Sequence, residues 1–394
     1  MVSKDVLLDI IEDWAEEISR ENVIHRDITV DVEKTLGYEE VTVIKGVRRA
    51  GKTFTLYELF QKHGGIYLNF EDERLYDFTM EDFEKITDII NQKNADILYL
   101  DEVQEVSGWE KFAHRSHRKV KIVVTGSNSR LLASEYSKSL VGRTKSYVIY
   151  PLCFSEFLRF KKMKRSRNSL SEYMKFGGFP RIVLTGDSTL AKEYFDRIIY
   201  RDILGREKVM YPEAMKTLSL YLLSNIGKEF SYRSLKPVSG LKHENTVKDY
   251  VGMLKEAFLI HVINRFHPSL KVQESYGKKL YSIDPSFVYL GKRGSPDSGR
   301  ILENIVFLDI MRKGHDIYFG KNRKEVDFII CSGLKPERIV NVTYEAETED
   351  TKEREITSLL HFQKEMGIKG EVVSMYPFKV LKDIELLLAH RFLE

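Results

Sequence analysis

The sequence predicts an α/β protein of more than one domain, built around a parallel sheet. Three observations predict it. Five short apolar runs rich in β-branched residues fall within the first 152 residues and alternate with helix-like segments. That alternation is the pattern of a parallel sheet covered on both faces. The first run ends in a glycine-bounded loop, VTVIKGVRRAGKTFTL, which opens directly into a helical pattern. Finally, the chain has 394 residues, too many for one ordinary core, so two or three domains are expected.

Composition narrows the class. The formal net charge of +3 is close to neutral, so any nucleic-acid contact should be local rather than a coat of basic residues. Cys153 and Cys331 lie far apart, which leaves no disulfide framework and no cysteine-based zinc site, and makes a reducing cytoplasm the expected location. The opening stretch MVSKDVLLDIIEDWAEEISRE is acidic and amphipathic, unlike a signal peptide. No apolar run approaches the roughly 18 residues of a membrane span, so no membrane partner is expected.

The loop reads Gly46-x4-Gly51-Lys52-Thr53, a P-loop. Glycines let the backbone curl so that successive N–H groups face phosphate oxygens, and the following helix offers its N-terminus to the same anion. Gly46, Val47, Arg48, Arg49, Ala50, Gly51, Lys52, Thr53 and Phe54 form the expected ATP cradle. Lys52 is expected on the β- and γ-phosphates and the Thr53 hydroxyl on Mg²⁺. VTVIKG before the loop reads as a buried strand, and TFTLYELFQKHG after it as a helix closed by Gly64, which is the context the motif requires.

The remaining strands follow in order: GIYLNFE (65–71), ADILYLDEVQ (95–104), VKIVVTGSNS (120–129) and KSYVIYPL (145–152). The third run ends in Asp101-Glu102 and resembles a Walker B motif. Asp101 is expected to hold Mg²⁺ through water, and Glu102 to polarise the attacking water as general base. The fourth run ends in Thr125, Ser127 and Asn128, one of which is a candidate γ-phosphate sensor; a plain loop is the alternative. Arg143, in SLVGRTKSY, is either a residue that reaches a γ-phosphate from its own or a neighbouring subunit, or an ordinary surface arginine. A strand inserted between the P-loop strand and the Asp101 strand is expected, as in ATPases with a catalytic glutamate.

VIKGVRRAGKT, ILYLDEVQ, VVTGSNSRLL, LVGRTKSYVIYPLCFSEFL and FGGFP together resemble the archaeal and bacterial AAA+-like ATPases of the AAA_14 type. YSIDPSFVYL and GRILENIVFLDIMRKGHDIYFGKNRKEVDFII resemble the DUF4143 domain that accompanies them, which is similar to the PD-(D/E)XK restriction-endonuclease fold. The resemblance implies an α/β chain with a P-loop AAA+-like ATPase core and N-terminal helix (1–152) and a helical lid (153–208). A winged-helix domain (209–285) and a PD-(D/E)XK-like α/β domain (286–394) complete it. In the lid, Gly178 and Pro180 are hinge candidates. The basic insert Lys161, Lys162, Lys164, Arg165 and Arg167 reads more readily as a solvated loop than as a phosphate contact.

Residues 211–285 read as helix, short helix, second helix and hairpin, the layout of a winged helix. Val247, Val251, Leu254 and Phe258 make the inner stripe of the second helix. Lys242, Lys248 and Lys255, with His243, are the candidates for contact with DNA, although Glu244, Asp249 and Glu256 oppose it. In the C-terminal domain the helix supplies Glu303 and the second strand Asp327. The third strand supplies Asn341 and Thr343 where the nuclease pattern needs a carboxylate and a lysine. Lys352 is a candidate replacement lysine. The preferred reading is a degenerate site without cleavage activity.

Three functions follow. The first is an ATP- and Mg²⁺-dependent switch or motor that engages nucleic acid and forms homo-oligomers. The second is an ATP-regulated nuclease, disfavoured by Asn341 and Thr343. The third is a nucleotide-dependent protein-interaction module.

Overall fold

Strands β1 (Val41–Lys45), β2 (Ile66–Asn69), β3 (Ile97–Asp101), β4 (Lys121–Gly126) and β5 (Thr144–Val148) pair in the order β2-β3-β4-β1-β5. Every pairing is parallel. β4 is therefore inserted between the P-loop strand and the Asp101 strand, as expected. β3 is buried along its whole length and β1 up to Lys45, because helices cover the sheet and apolar residues are needed on both faces.

The structure is a computed structural model and describes residues 1–127, 140, 142–205, 207–291, 297–344, 349–381 and 383–393. The chain divides into two compact units, Met1–Tyr150 and Pro151–Glu394. The first boundary falls two residues from the expected one. The expected lid, winged-helix and C-terminal domains instead share the second unit.

In the first unit, α1 (Lys4–Arg20) starts at Ser3, whose hydroxyl accepts from Val6 N at 3.2 Å and so caps the helix. Its buried face, Leu7, Ile10 and Ile11, joins a core with Leu68, Leu98, Leu100 and Val124 of the sheet. Beneath this layer the rings of Phe83 and Phe112 stack with centroids 4.4 Å apart. Lys52–His63 forms the helix after the P-loop, closed at Gly64 with φ +65°. That backbone conformation favours glycine and is the expected stop.

The second unit begins with four helices, Phe154–Lys161, Arg167–Phe176, Pro180–Thr185 and Leu190–Arg197. Gly178, one of the two hinge candidates, is closely packed. Gly178 N donates to Asp284 Oδ2 at 2.7 Å, and a Cβ on Gly178 would stand 2.3 Å from the Leu152 carbonyl oxygen. This close approach requires glycine at position 178. Three of the five residues of the basic insert are also engaged, Lys161 with its Nζ 5.8 Å from the Phe176 ring centroid. Arg165 donates to the carbonyls of His390 and Leu393, and the Arg167 guanidinium lies 5.3 Å from the Tyr376 ring centroid.

Helices Pro212–Ser224, Tyr232–Ser239 and Glu244–Glu256 follow, with a three-stranded antiparallel sheet of β6 (Glu229–Phe230), β7 (Ile260–Asn264) and β8 (Lys278–Ser282) in the order β6-β8-β7. Val247, Val251 and Leu254 are buried as expected; Phe258, also buried, lies beyond the helix. The final layer is a sheet in the order β13-β12-β11-β10-β9, from β9 (Asp316–Lys321), β10 (Glu325–Ser332), β11 (Lys335–Thr343), β12 (Gly370–Ser374) and β13 (Ile384–Leu388). β9, β10 and β11 are antiparallel, whereas β11, β12 and β13 are parallel. β13 was not among the elements expected from the sequence.

Candidate functional site

All five strands of the first sheet run the same way, so their carboxyl ends share one edge, where ligands of open α/β sheets bind. The P-loop leaves β1 at this edge. Gly46 has φ +149° and a Cβ there would fall 2.1 Å from the Ile149 carbonyl oxygen, so only glycine lets the loop pass. Arg49 and Gly51 also have positive φ, +68° and +106°, which curls the loop.

Lys52 is buried. Its Nζ donates to the Gly46 carbonyl at 3.2 Å and the Val47 carbonyl at 3.3 Å, and stands 4.0 Å from Glu102 Oε1. Arg48 turns aside to Glu71, 3.3 Å away, while Arg49 and Phe54 are exposed.

Asp101 and Glu102 close β3. Asp101 is fully buried; Tyr67 donates to its Oδ2 at 2.8 Å, Thr125 donates to its Oδ1, and the Thr53 hydroxyl is a further partner. Burial, followed by the charge of Glu102, raises the Asp101 pKa against these hydrogen bonds. Glu102 has φ +52°, a conformation uncommon outside glycine. Its N–H donates to Thr125 Oγ1 at 3.0 Å, so one threonine from β4 holds both acids in place.

The donor set suits a nucleotide with a divalent cation. An ammonium that donates to its own loop carbonyls, with a carboxylate 4.0 Å away, is placed to move onto phosphate. Thr53 and Asp101 are oxygen donors of the kind Mg²⁺ accepts. Ser127 is buried at the end of β4, and Asn128 lies outside the described residues.

Arg143 is elsewhere. It precedes β5, and Thr144 pairs with Val41 while Val148 pairs with Lys45. Arg143 thus lies at the amino edge of the sheet, a strand length of roughly 13 Å from the P-loop edge. Its Nη1 is 2.8 Å from His114 Nε2. It does not reach the P-loop of its own chain.

One residue beneath the P-loop was not found in the sequence. Arg26 is buried and donates to the carbonyls of Ala50 at 2.7 Å and Tyr150 at 2.9 Å. His25 and Thr29 beside it both pair with Glu58, on the helix that follows the loop. No motif marks Arg26: its neighbours His25 and Asp27 are exposed, and no sequence pattern singles it out.

In the second unit, Lys242, Lys248 and Lys255 are all exposed, at and along the helix Glu244–Glu256. Glu303 and Asp327 line one cavity with Thr343. Asn341 is engaged in bracing: its Oδ1 accepts from Asp327 N at 3.1 Å and its Nδ2 donates to Glu355 Oε2 at 2.7 Å. The Lys352 side chain lies outside the described residues.

The chain is 36% identical over 388 residues to the uncharacterised protein MJ1544 of Methanocaldococcus jannaschii, covering 90% of this chain and 85% of that one. The chain belongs to the family of MJ1544. An uncharacterised protein of Haemophilus influenzae is 31% identical over 373 residues, covering 88% of this chain and 91% of its own length. Within this MJ1544 family chain, residues 38–158 match the AAA domain model AAA_14, which makes the first unit an AAA-type P-loop ATPase domain. A second model, a domain of unknown function called DUF8612, matches residues 167–294. It takes the place of the DUF4143 resemblance expected outside the ATPase domain. Among solved structures, the Walker-type ATPase PABY2304 of Pyrococcus abyssi aligns over 68% of this chain and 95% of its own, at 16% identity and a TM-score of 0.46.

Proposed function

We propose that the AAA domain binds ATP with Mg²⁺ and hydrolyses it as a switch or motor, and that the second unit engages nucleic acid. The observation that carries the ATPase reading is the convergence of Lys52, Thr53, Asp101 and Glu102 at one sheet edge, with Lys52 Nζ 4.0 Å from Glu102 Oε1. In this reading the loop N–H groups and Lys52 bind the β- and γ-phosphates. Mg²⁺, when bound, neutralises phosphate charge; Thr53 and Asp101 are the residues that would hold it. Glu102 takes a proton from the attacking water, and Thr125 positions both acids. Ser127 is the remaining described candidate to face the γ-phosphate.

Nucleic-acid engagement is supported by the helix Glu244–Glu256. It buries Val247, Tyr250, Val251 and Leu254 and leaves Lys248 and Lys255, seven positions apart, exposed on one side. The element order around it, helix–strand–helix–helix–hairpin, resembles that of a winged helix, in which the last helix before the hairpin enters the major groove. The test is ATP turnover with and without duplex DNA. The expected result is stimulation by DNA that a Lys242→Glu, Lys248→Glu, Lys255→Glu chain loses while keeping basal turnover. Turnover indifferent to DNA in the wild-type chain refutes the nucleic-acid part and leaves the ATPase part standing.

A further inference from the structure

A cavity of about 840 Å³ lies in the second unit. Four stretches of chain converge on it. Helix Ser298–Arg312 brings Glu303, β10 brings Glu325 and Asp327, helix Glu349–Met366 brings Glu355, and β8 brings Lys279. A lysine at this place was the element that the sequence reading judged missing. It comes from the hairpin far upstream, not from β11 or from the helix that carries Lys352.

Lys279 is 2% exposed, yet its Nζ is 2.8 Å from Glu325, 3.5 Å from Asp327 and 3.7 Å from Glu303. Burial opposes the Lys279 charge, but the three carboxylates more than offset it and keep the ammonium charged. Burying a lysine is costly unless it is paired, so this one is held by design of the site rather than by packing. Glu303 is also buried, and Tyr281 donates to its Oε1 at 2.7 Å. Gly227, at φ +68°, gives that carboxylate its room: a Cβ there would stand 2.9 Å from Glu303 Oε2. Asp327 is oriented by Val342 N, which donates to its Oδ2 at 2.9 Å.

The charges do not balance. Lining carboxylates (Asp297, Glu303, Glu325, Asp327, Glu355) outnumber lining cations (Lys279, Arg300, Lys324) by two. A divalent cation cancels that excess. Mg²⁺-like ions are commonly bound through one or two carboxylates together with substrate phosphates, keeping several waters. Glu303 and Asp327 are such a pair: Tyr281 braces Glu303 Oε1 and Val342 N braces Asp327 Oδ2, while Asp327 Oδ1 is shared with Lys279 Nζ at 3.5 Å. The cavity is far larger than one ion and its waters need, at roughly 30 Å³ per water. Its three basic residues suit an anion beside the ion.

We propose that this cavity is a second functional site, in which Glu303 and Asp327 hold a divalent cation and Lys279 faces a phosphate ester bound to it. The ester is either a free nucleotide or a backbone phosphate of a nucleic-acid strand. The site stands independently of the ATPase reading.

The test is calorimetry on the full chain without ATP, titrating Mn²⁺ alone, then dAMP or a short DNA duplex with Mn²⁺ present. Wild type is expected to take up Mn²⁺. Asp327→Asn keeps the acceptor for Val342 N and is expected to lose at least about tenfold in Mn²⁺ affinity, in the range typical for disturbed metal sites. Lys279→Met is expected to move the two readouts in opposite directions. Mn²⁺ binds more tightly once the competing ammonium is gone, while the phosphate ester binds more weakly. A purely structural ion pair moves neither in this way. Binding of dAMP and duplex alike assigns a free nucleotide subsite, and duplex binding alone assigns the nucleic-acid strand. Absence of Mn²⁺ uptake by wild type, or uptake unchanged in folded Asp327→Asn, overturns the proposal.

Discussion

Lys52 Nζ and Glu102 Oε1 face each other at 4.0 Å, although they leave strands that are not neighbours. β4 lies between β1 and β3, and its Thr125 is hydrogen-bonded to both acids at the end of β3. The lysine and the glutamate that the proposed hydrolysis uses are thus set by one parallel edge.

Glu102→Gln is expected to keep ATP affinity and to slow hydrolysis on the order of 10²–10⁴, the usual contribution of a general base. Binding is read by fluorescent-nucleotide titration and turnover by phosphate release. Lost affinity with unslowed turnover per bound ATP would give Glu102 another role.

Thr125→Val keeps the shape of the side chain and removes the hydrogen bonds to Asp101 and the Glu102 backbone. The expected effect is a 10- to 100-fold rise in the Mg²⁺ concentration needed for half-maximal turnover, about the cost of a lost outer-shell partner at a metal site. Mg²⁺ titration of the rate checks it. An unchanged Mg²⁺ dependence would make Thr125 a packing residue.

Arg26→Ala removes a buried guanidinium that donates to Ala50 and Tyr150 carbonyls. Each charge-assisted bond contributes about 1.5–3 kcal/mol, and the carbonyls left behind add to the loss. A lower Tm and weaker ATP binding are expected together, because Ala50 belongs to the P-loop. A lower Tm with unchanged nucleotide affinity would separate Arg26 from the loop.

Arg143→Ala is expected to leave turnover by isolated chains unchanged, since the arginine lies at the sheet edge opposite the P-loop. Turnover is compared at dilute and concentrated protein. A loss that appears only in concentrated protein, and that mixing with Lys52→Ala chains partly restores, would instead place Arg143 at a neighbour's nucleotide.

The ATPase site was legible in the sequence because it is local. The P-loop is eight contiguous residues whose glycines are forced by backbone sterics, and Asp101-Glu102 follow a strand whose burial requires an unbroken apolar run. The five strands were legible for the same reason, since each βα unit carries its own pattern; of their order, only a strand between β1 and β3 was expected. What tertiary structure alone decided are the charges brought together from distant segments. Arg26 reaches under the P-loop from before the first strand of the sheet, and no periodicity encodes a side chain that spans to a loop carbonyl. Arg143 follows the right local signal, a glycine before a strand, but a parallel strand begins at the edge away from the ligand. Lys279 sits 24 positions before Glu303 and 48 before Asp327, in a strand that reads as hairpin, so a motif search along β11 finds asparagine and threonine and stops. Burial in a common cavity, not spacing, makes those three residues one site: removing them from water couples charges that in solution would not sense one another.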